Sequence, residues 1–509
     1  MTLLCFYRSD MNYTTIKNNQ VLPVSEIPEL SYSAFFELNT RLVNNTQENH
    51  CVNYFGYPVV NNIKLICCIA DDQKHLIYLS SCLVNRDEHL LSFTAMNFCF
   101  EKYEREIHEN FGISYVDHPW LKPVRYSHNR FDAQKTISNY PFYSIDSEEL
   151  HEVGVGPIHA GVIEPGHFRF ICNGEQILHL EIQLGYQHRG VEPLFLKRKR
   201  LAERVIVSES IAGDNVIGHT LAFSYLWESI YGYKPSRDLE LARTIALELE
   251  RMAIHTGDLA AACADVGYQL GSAVFGRLRT PIVNFFQEWC GNRLAKGLLW
   301  PGMNLYPFTT TLSDRLRIVL DTFEPDFEEM RKALFKMPSA LSRFERTGIL
   351  TTENAVTIGA VGMAARASGL NRDIRLSHPH SLYNELNHEP IVKHHGDVYS
   401  RLQIRKQEVV QSIKYLRYLI NSITENENGV TSLGNPKPNS FGLSMVEGWR
   451  GEICHCAITD NKGDLLFYKV KDPSFHNWLA LALAVRNNEI SDFPICNKSF
   501  NLSYCGHDL

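Results

Sequence analysis

The sequence predicts an α+β protein in two unequal parts. A small N-terminal α+β domain, residues 1–126, precedes a large, mainly helical-bundle domain, residues 156–509, with β-hairpins at its edges. Three observations carry this. Leu65-Ile-Cys-Cys-Ile-Ala and Leu76-Ile-Tyr-Leu are short apolar runs of strand type, followed by a helix-like stretch through Phe98, Tyr103 and Ile107. After Ser236 the texture changes to long helical periodicity. Strand alternation returns only at residues 167–184 and 452–470, each broken by a turn sequence.

Each element has local chemistry behind it. Residues 127–155, with Asn139-Tyr-Pro-Phe and the acidic Asp146-Ser-Glu-Glu, lack periodicity and read as a linker. Asn173-Gly174 is a hairpin turn signal, and Asp460-Asn-Lys-Gly-Asp464 is a longer one. Ser236 is placed to N-cap a helix with Asp238 and Glu240 in its first turn, and positions 242, 245, 246, 249, 252, 253, 256, 259 and 260 form one small or apolar face. A second long helix follows Asp397, with Leu402, Val409, Ile413, Leu416, Ile420 and Ile423 at helical spacing.

Composition excludes several function classes. With 44% hydrophobic and 21% charged residues over 509 positions, the chain has the apolar surface for a sizeable core. The net charge is -7, and the one dense basic run, residues 197–200, is short, which argues against a nucleic-acid binder. The first ten residues lack a basic n-region and are interrupted by Arg8 and Asp10, so they fail as a signal peptide. The apolar run from position 478 to 485 is far shorter than the ~18 to 20 residues a bilayer needs. A cytoplasmic location, with any membrane link made through partners, is the expectation. The 13 cysteines form no C-x-x-C, which removes the main support for zinc ribbons, thioredoxin chemistry and common iron-sulfur loops.

Three constellations stand out, each with a plainer alternative. Glu248, Arg251 and His255 fall at i, i+3 and i+7 on the long helix, as a charged network or as a solvated face with one ion pair. Five histidines lie between positions 378 and 395, but their irregular spacing fits a histidine-rich loop better than a metal site. Gly448 and Gly451 around Arg450 predict a tight turn, either presenting a guanidinium to a carboxylate or neighbouring subunit or serving as a turn alone.

Longer motifs carry a resemblance. Tyr103-Glu-Arg-Glu-Ile-His-Glu-Asn-Phe-Gly through His118-Pro-Trp-Leu resembles the signature of the 30 kDa-type subunit of respiratory complex I, with Glu109 where Asp is usual and Asp117 where Gly is usual. Downstream, Gly156-Pro-Ile-His, Glu164-Pro-Gly-His-Phe and His188-Arg-Gly-Val-Glu resemble the 49 kDa-type subunit and the large subunit of group 4 membrane-bound nickel-iron hydrogenases. So do Glu248-Leu-Glu-Arg through His255, the stretch from Arg366 through Arg375 to Asp397 and Arg405, and Glu447-Gly-Trp-Arg450-Gly-Glu, where Trp449 replaces the usual Pro. Both subunits in one chain is the arrangement of the formate hydrogenlyase and hydrogenase-4 large subunits.

The resemblance implies a fold of the hydrogenase large-subunit and complex I 49 kDa type, and a position on the cytoplasmic face of the inner membrane. It implies as partners a complex I 20 kDa-like iron-sulfur subunit, a ferredoxin-like subunit, and membrane subunits of the complex I and antiporter-like type. Glu248, Arg251, His255, Arg366, Arg375, Asp397, Arg405 and Arg450 are then expected to be structural or to shape a partner surface. The active site departs from the family. Alignment places the four thiolate positions of the nickel-iron centre at Ala212, Asn215, Ser503 and Gly506, with Cys505 out of register, so no nickel-iron centre and no cofactor bound by this chain is expected. The quinone ligands of complex I are unmatched too: the first hairpin loop has no His in register, and the Tyr position falls near Gly213. Glu164 matches the family's E-P-x-x-F carboxylate and is the candidate for proton transfer, with His159 and His167 as nearby substitutes unless they are ordinary turn histidines. Electron transfer from an iron-sulfur partner to a quinone or another acceptor is the expected function, and a non-catalytic coupling scaffold is the alternative.

Overall fold

The computed structural model describes residues 12–159, 163–423 and 433–509. Its N-terminal part is built on a five-stranded sheet in the order Thr14–Ile16, Leu76–Asn85, Asn62–Asp71, Asn49–Val59, antiparallel throughout, with Glu29–Leu30 added parallel to Leu76–Asn85. The helices Tyr32–Asn45 and Glu101–Phe111 cover one face, where Phe35, Tyr54, Leu65, Cys67, Phe93 and Tyr103 pack together. The other face carries Val52, Phe55, Ile66, Cys68 and Leu79, and it too is buried. This explains why Leu65-Ile-Cys-Cys-Ile-Ala is a continuous apolar run: both faces of its strand are covered.

What covers the second face is a sheet of the large part, in the order Leu465–Lys471, Glu452–Thr459, Ser440–Glu447, Gln20–Pro23. Leu443, Met445, Cys454 and Cys456 meet the N-terminal sheet face to face. The fourth strand comes from the other end of the chain: Val21 pairs with Gly442 and Leu22 with Phe441. The 452–470 hairpin forms with its turn at Asp460–Asp464, and its second strand, Leu465–Lys471, is the edge of this sheet. Glu452–Thr459 is a central, fully buried strand between the N-terminal sheet and the helix Val216–Tyr231.

The helical part also follows its sequence signals. Ser236 caps Arg237–Asp265 by accepting the Leu239 N–H, and Asp397 caps Val398–Ile420 by accepting the Ser400 N–H. These two helices pack with Gln269–Cys290 and Thr310–Leu334 around a core of Ile245, Leu249, Phe275, Phe323, Val409 and Leu416. The hairpin His167–Asn173, Gln176–Gln183 turns at Gly174, whose φ of +54° suits glycine. It is extended by a strand from the segment read as linker: His151–Val155 pairs antiparallel with His167–Asn173. Alternation over five residues is too short to register as periodicity. Among the described residues, no helix is long and apolar enough to cross a membrane.

Candidate functional site

The two segments aligned with the four thiolate positions lie together. Residues 212–215 form the turn before the helix Val216–Tyr231, where the Asn215 N–H donates to the Ala212 carbonyl. Residues 503–506 open the short helix Tyr504–Asp508, where the Ser503 hydroxyl accepts the Gly506 N–H. Two arginines tie them. Arg189 donates to the carbonyls of Ser210, Ile211 and Cys505. Arg450 grips both oxygens of Asp214, at 2.8 and 2.5 Å, and donates its Nε–H to the Asn501 carbonyl. The tight turn around Arg450 thus presents its guanidinium to a carboxylate of this chain.

The side chains at the four positions do not fit a nickel-iron centre. Ala212 offers a methyl group, Ser503 uses its hydroxyl as a cap, and the Asn215 amide is buried against Gly218 and Gly448 with neither polar atom paired. A Cβ built on Gly506 would stand 2.7 Å from the Asp472 carboxylate, so a cysteine there collides with its surroundings. Asp472 itself closes a buried chain: it accepts from His219 at 3.0 Å, His219 is 3.1 Å from His455, and His455 is 2.8 Å from the Tyr468 hydroxyl. Burial pushes Asp472 up, but the His219 hydrogen bond and charge outweigh this and hold it below its ordinary value. His455 is held well below its ordinary value by burial and by His219.

Of the three predicted proton-transfer residues, Glu164 alone is placed beside these segments. It is half-buried, next to the Cys505 thiol. Cys505 is the one cysteine among the described residues that is not fully buried, and its sulfur lies 3.4 Å from the Ser503 hydroxyl. Burial first, and then the Glu164 carboxylate, push that thiol up to about 12, so it stays protonated at neutral pH. His159 donates to the Gly166 carbonyl at 3.0 Å and His167 to the Gly156 carbonyl at 3.1 Å. Both histidines therefore tie the neck of the loop.

Behind the site lies the second constellation. Glu248, Arg251 and His255 do not form a solvated face: all three are buried, because the helix Val398–Ile420 and the 366–375 stretch bring opposite charges against them. His255 meets Glu408 at 2.7 Å, and Arg366 bridges Asp373, Glu408 and Glu447. Arg375 bridges Asp373 and Glu408 at 2.6 Å each. Arg405 pairs with Asp258, which accepts from Asn501, the residue whose carbonyl holds Arg450. Hydrogen bonds thus run continuously from the candidate site into the network. Burial and the neighbouring Asp373 push Glu447 up to about 8, while burial drops His255 to about 4. Four guanidiniums, Arg251, Arg366, Arg375 and Arg405, thus face the carboxyl groups of Glu248, Asp258, Asp373, Glu408 and Glu447.

The expectation that Arg366, Arg375, Arg405 and Arg450 shape a partner surface is therefore corrected: all four are at most 3% exposed and spend their donors inside this chain. Asp397 is a helix cap that also accepts the Arg346 N–H. Sequence reading missed Asp214, Asp258, Asp373, Glu408 and Asn501. Asp373 lay inside the quoted Arg366-to-Arg375 motif, so an acid between two arginines was the available signal; Asp214 and Asn501 lay within the aligned thiolate segments, while Asp258 and Glu408 sit in no local pattern.

Residues 265–435 match the family described as respiratory-chain NADH dehydrogenase, 49 Kd subunit. This chain carries a domain of that kind. The match takes in the Arg366-to-Arg405 stretch and stops short of both segments of the candidate site. The chain is 27% identical over 388 residues to hydrogenase-4 component G of Escherichia coli, covering 76% of this chain and 67% of that one. It is 24% identical over 410 residues to the C/D subunit of the NADH-quinone oxidoreductase of Phocaeicola vulgatus, covering 72% of this chain and 76% of that one. Its fold matches, at a TM-score of 0.67 and 20% identity, a chain in the structure of the membrane-bound sulfane sulfur reductase, an archaeal respiratory membrane complex, over 72% of this chain and all of that one. The chain is thus a relative of both complex I-like and hydrogenase-4-like subunits.

Proposed function

We propose that this chain is the large subunit of a membrane-associated, energy-converting oxidoreductase complex in which the nickel-iron centre is lost. It works with a 20 kDa-like iron-sulfur subunit, a ferredoxin-like subunit and complex I-like or antiporter-like membrane subunits, at the cytoplasmic face of the membrane. Electrons pass from the iron-sulfur partner to a quinone or another acceptor held near residues 212–215 and 503–506. The observation that carries this reading is the state of the four aligned thiolate positions: their two segments are tied by Arg189 and Arg450, while the side chains are a methyl, an amide, a capping hydroxyl and a hydrogen. A chain that had lost its role altogether would have no reason to hold two distant segments together with two guanidiniums.

Glu164 is the proposed proton carrier, because it is half-buried beside these segments and next to Cys505. The opposing reading, a non-catalytic coupling scaffold, draws on the Arg450–Asp214 pair, an ion pair made within this chain where a ligand thiolate would have stood alongside. One experiment separates them. The purified complex is expected to hold no stoichiometric nickel by metal analysis and to evolve no hydrogen from reduced viologen, while electron paramagnetic resonance shows a reducible cluster. In that complex, Glu164→Gln is expected to abolish donor-linked turnover without loss of assembly. Stoichiometric nickel bound by this chain overturns the proposal, and an unchanged turnover profile across pH in Glu164→Gln moves the reading to the scaffold.

A further inference from the structure

Arg372 is a buried guanidinium without a carboxylate partner. It is 7% exposed, donates Nη1 to the Ala360 carbonyl at 2.9 Å and Nη2 to the Gln47 carbonyl at 3.3 Å, and leaves its Nε without a partner. Arg243, Arg366, Arg375 and Arg405 are buried as deeply or more so, and each meets a carboxylate. The acids whose charge reaches Arg372 are Asp72, Glu452 and Glu48, none of them in an ion pair with it among the described residues. Two of them are committed elsewhere: Asp72 to His378 and His50, and Glu452 to Lys471 and His50. Arg401, also without a carboxylate, has all three guanidinium nitrogens hydrogen-bonded, whereas Arg372 does not, and a buried charge left in that state is costly unless something neutralises it.

The guanidinium lines a cavity of about 290 Å³ at the seam between the two parts of the chain. His50 is also in the wall, with its ring nitrogens turned to Glu452 at 2.7 Å and Asp72 at 3.6 Å. The rest of the lining is rich in amides and a hydroxyl, including Asn44, Thr46 and Asn97. Such a wall offers several neutral donors around one cation, which suits a group with three or more acceptor oxygens better than the two of a carboxylate.

We propose that this cavity binds a small phosphate-bearing anion against Arg372. Its charge neutralises the guanidinium, and its oxygens accept from the second N–H of each Arg372 Nη and from the amide donors of the wall. The site lies between the N-terminal part and the 366–375 stretch, away from residues 212–215 and 503–506, and its occupation is independent of the electron-transfer reading.

The test uses the full-length chain or its complex with inorganic phosphate as probe, at constant ionic strength, read by phosphorus NMR line broadening and by thermal melts. Saturable broadening with a matching rise in Tm is expected for the native chain. Arg372→Met should weaken binding by roughly tenfold or more, the worth of a charge-assisted hydrogen bond. Gln47→Glu adds a negative charge to the wall of the same cavity, at the residue whose backbone carbonyl Arg372 bonds, and it should weaken phosphate binding by roughly tenfold or more while keeping the fold, which preserves the test if Arg372→Met does not fold. The proposal fails if the native chain shows no saturable binding, if Gln47→Glu binds phosphate as well as the native chain, or if acetate binds equally well.

Discussion

Gly506 stands where a larger side chain would run into Asp472, and that one contact shows how the interior is arranged around charge more than around apolar volume. Arg375 is the sharpest case: it is 1% exposed and bridges Asp373 and Glu408. Arg375→Met keeps the length of the side chain but leaves Asp373 and Glu408 sharing the single guanidinium of Arg366, so unfolding by denaturant should show a loss of about 3–5 kcal/mol. A variant that stays as stable as the native chain and loses only its iron-sulfur partner would restore the partner-surface reading. Glu250 gives a pH signature. It is buried beneath the helix Val216–Tyr231, accepting the N–H groups of Ile217 and Gly218, and burial raises it from 4.5 to about 8. An acid whose folded pKa is raised contributes stability that is fully present below its unfolded value and lost as pH rises toward the folded one. Between about pH 4.5 and 8 its share of the stability therefore declines. Glu250→Gln, measured by thermal melts across that window, should flatten the decline; an unaltered slope would assign it to other groups.

At the scale of elements, what could be read from sequence was what local chemistry decides. Ser236 with Asp238 and Glu240 announced the start of a 29-residue helix, and Asn173-Gly174 announced a hairpin, because a cap and a turn each need only a few neighbouring residues. The state of Glu248, Arg251 and His255 could not be read that way. Nothing within one helix tells a buried charge from a solvated one, and the partner that buries His255, Glu408, lies 153 positions along the chain. The same distance problem hid the strand Gln20–Pro23, which is too short to show alternation and pairs with residues 440–443. The candidate site was half legible: the motifs brought residues 212–215 and 501–509 into view, while the pairing of Asp214 and Asn501 with Arg450, and of Asn501 with Asp258, depends on residues far off in the chain.

Across the whole molecule, the two parts are less separable than their sequence textures imply. The N-terminal sheet buries Phe55, Ile66, Cys68 and Leu79 against Leu443, Met445, Cys454 and Cys456, not against helices of its own. Residues 12–126 produced alone should therefore expose a contiguous apolar face, bind a hydrophobic dye and self-associate in analytical ultracentrifugation. A monomeric fragment with native near-ultraviolet dichroism would show that this part folds by itself. The strand Gln20–Pro23 also sets the order of events in the cell, because its partner at residues 440–443 is made long after it. At roughly 5–20 residues per second of synthesis, that apolar face waits on the order of 20–80 s for its cover. Throughout that interval the nascent chain is a client for whatever shields it at the ribosome, so translation speed and chaperone supply govern the yield of this protein as directly as any residue in its core.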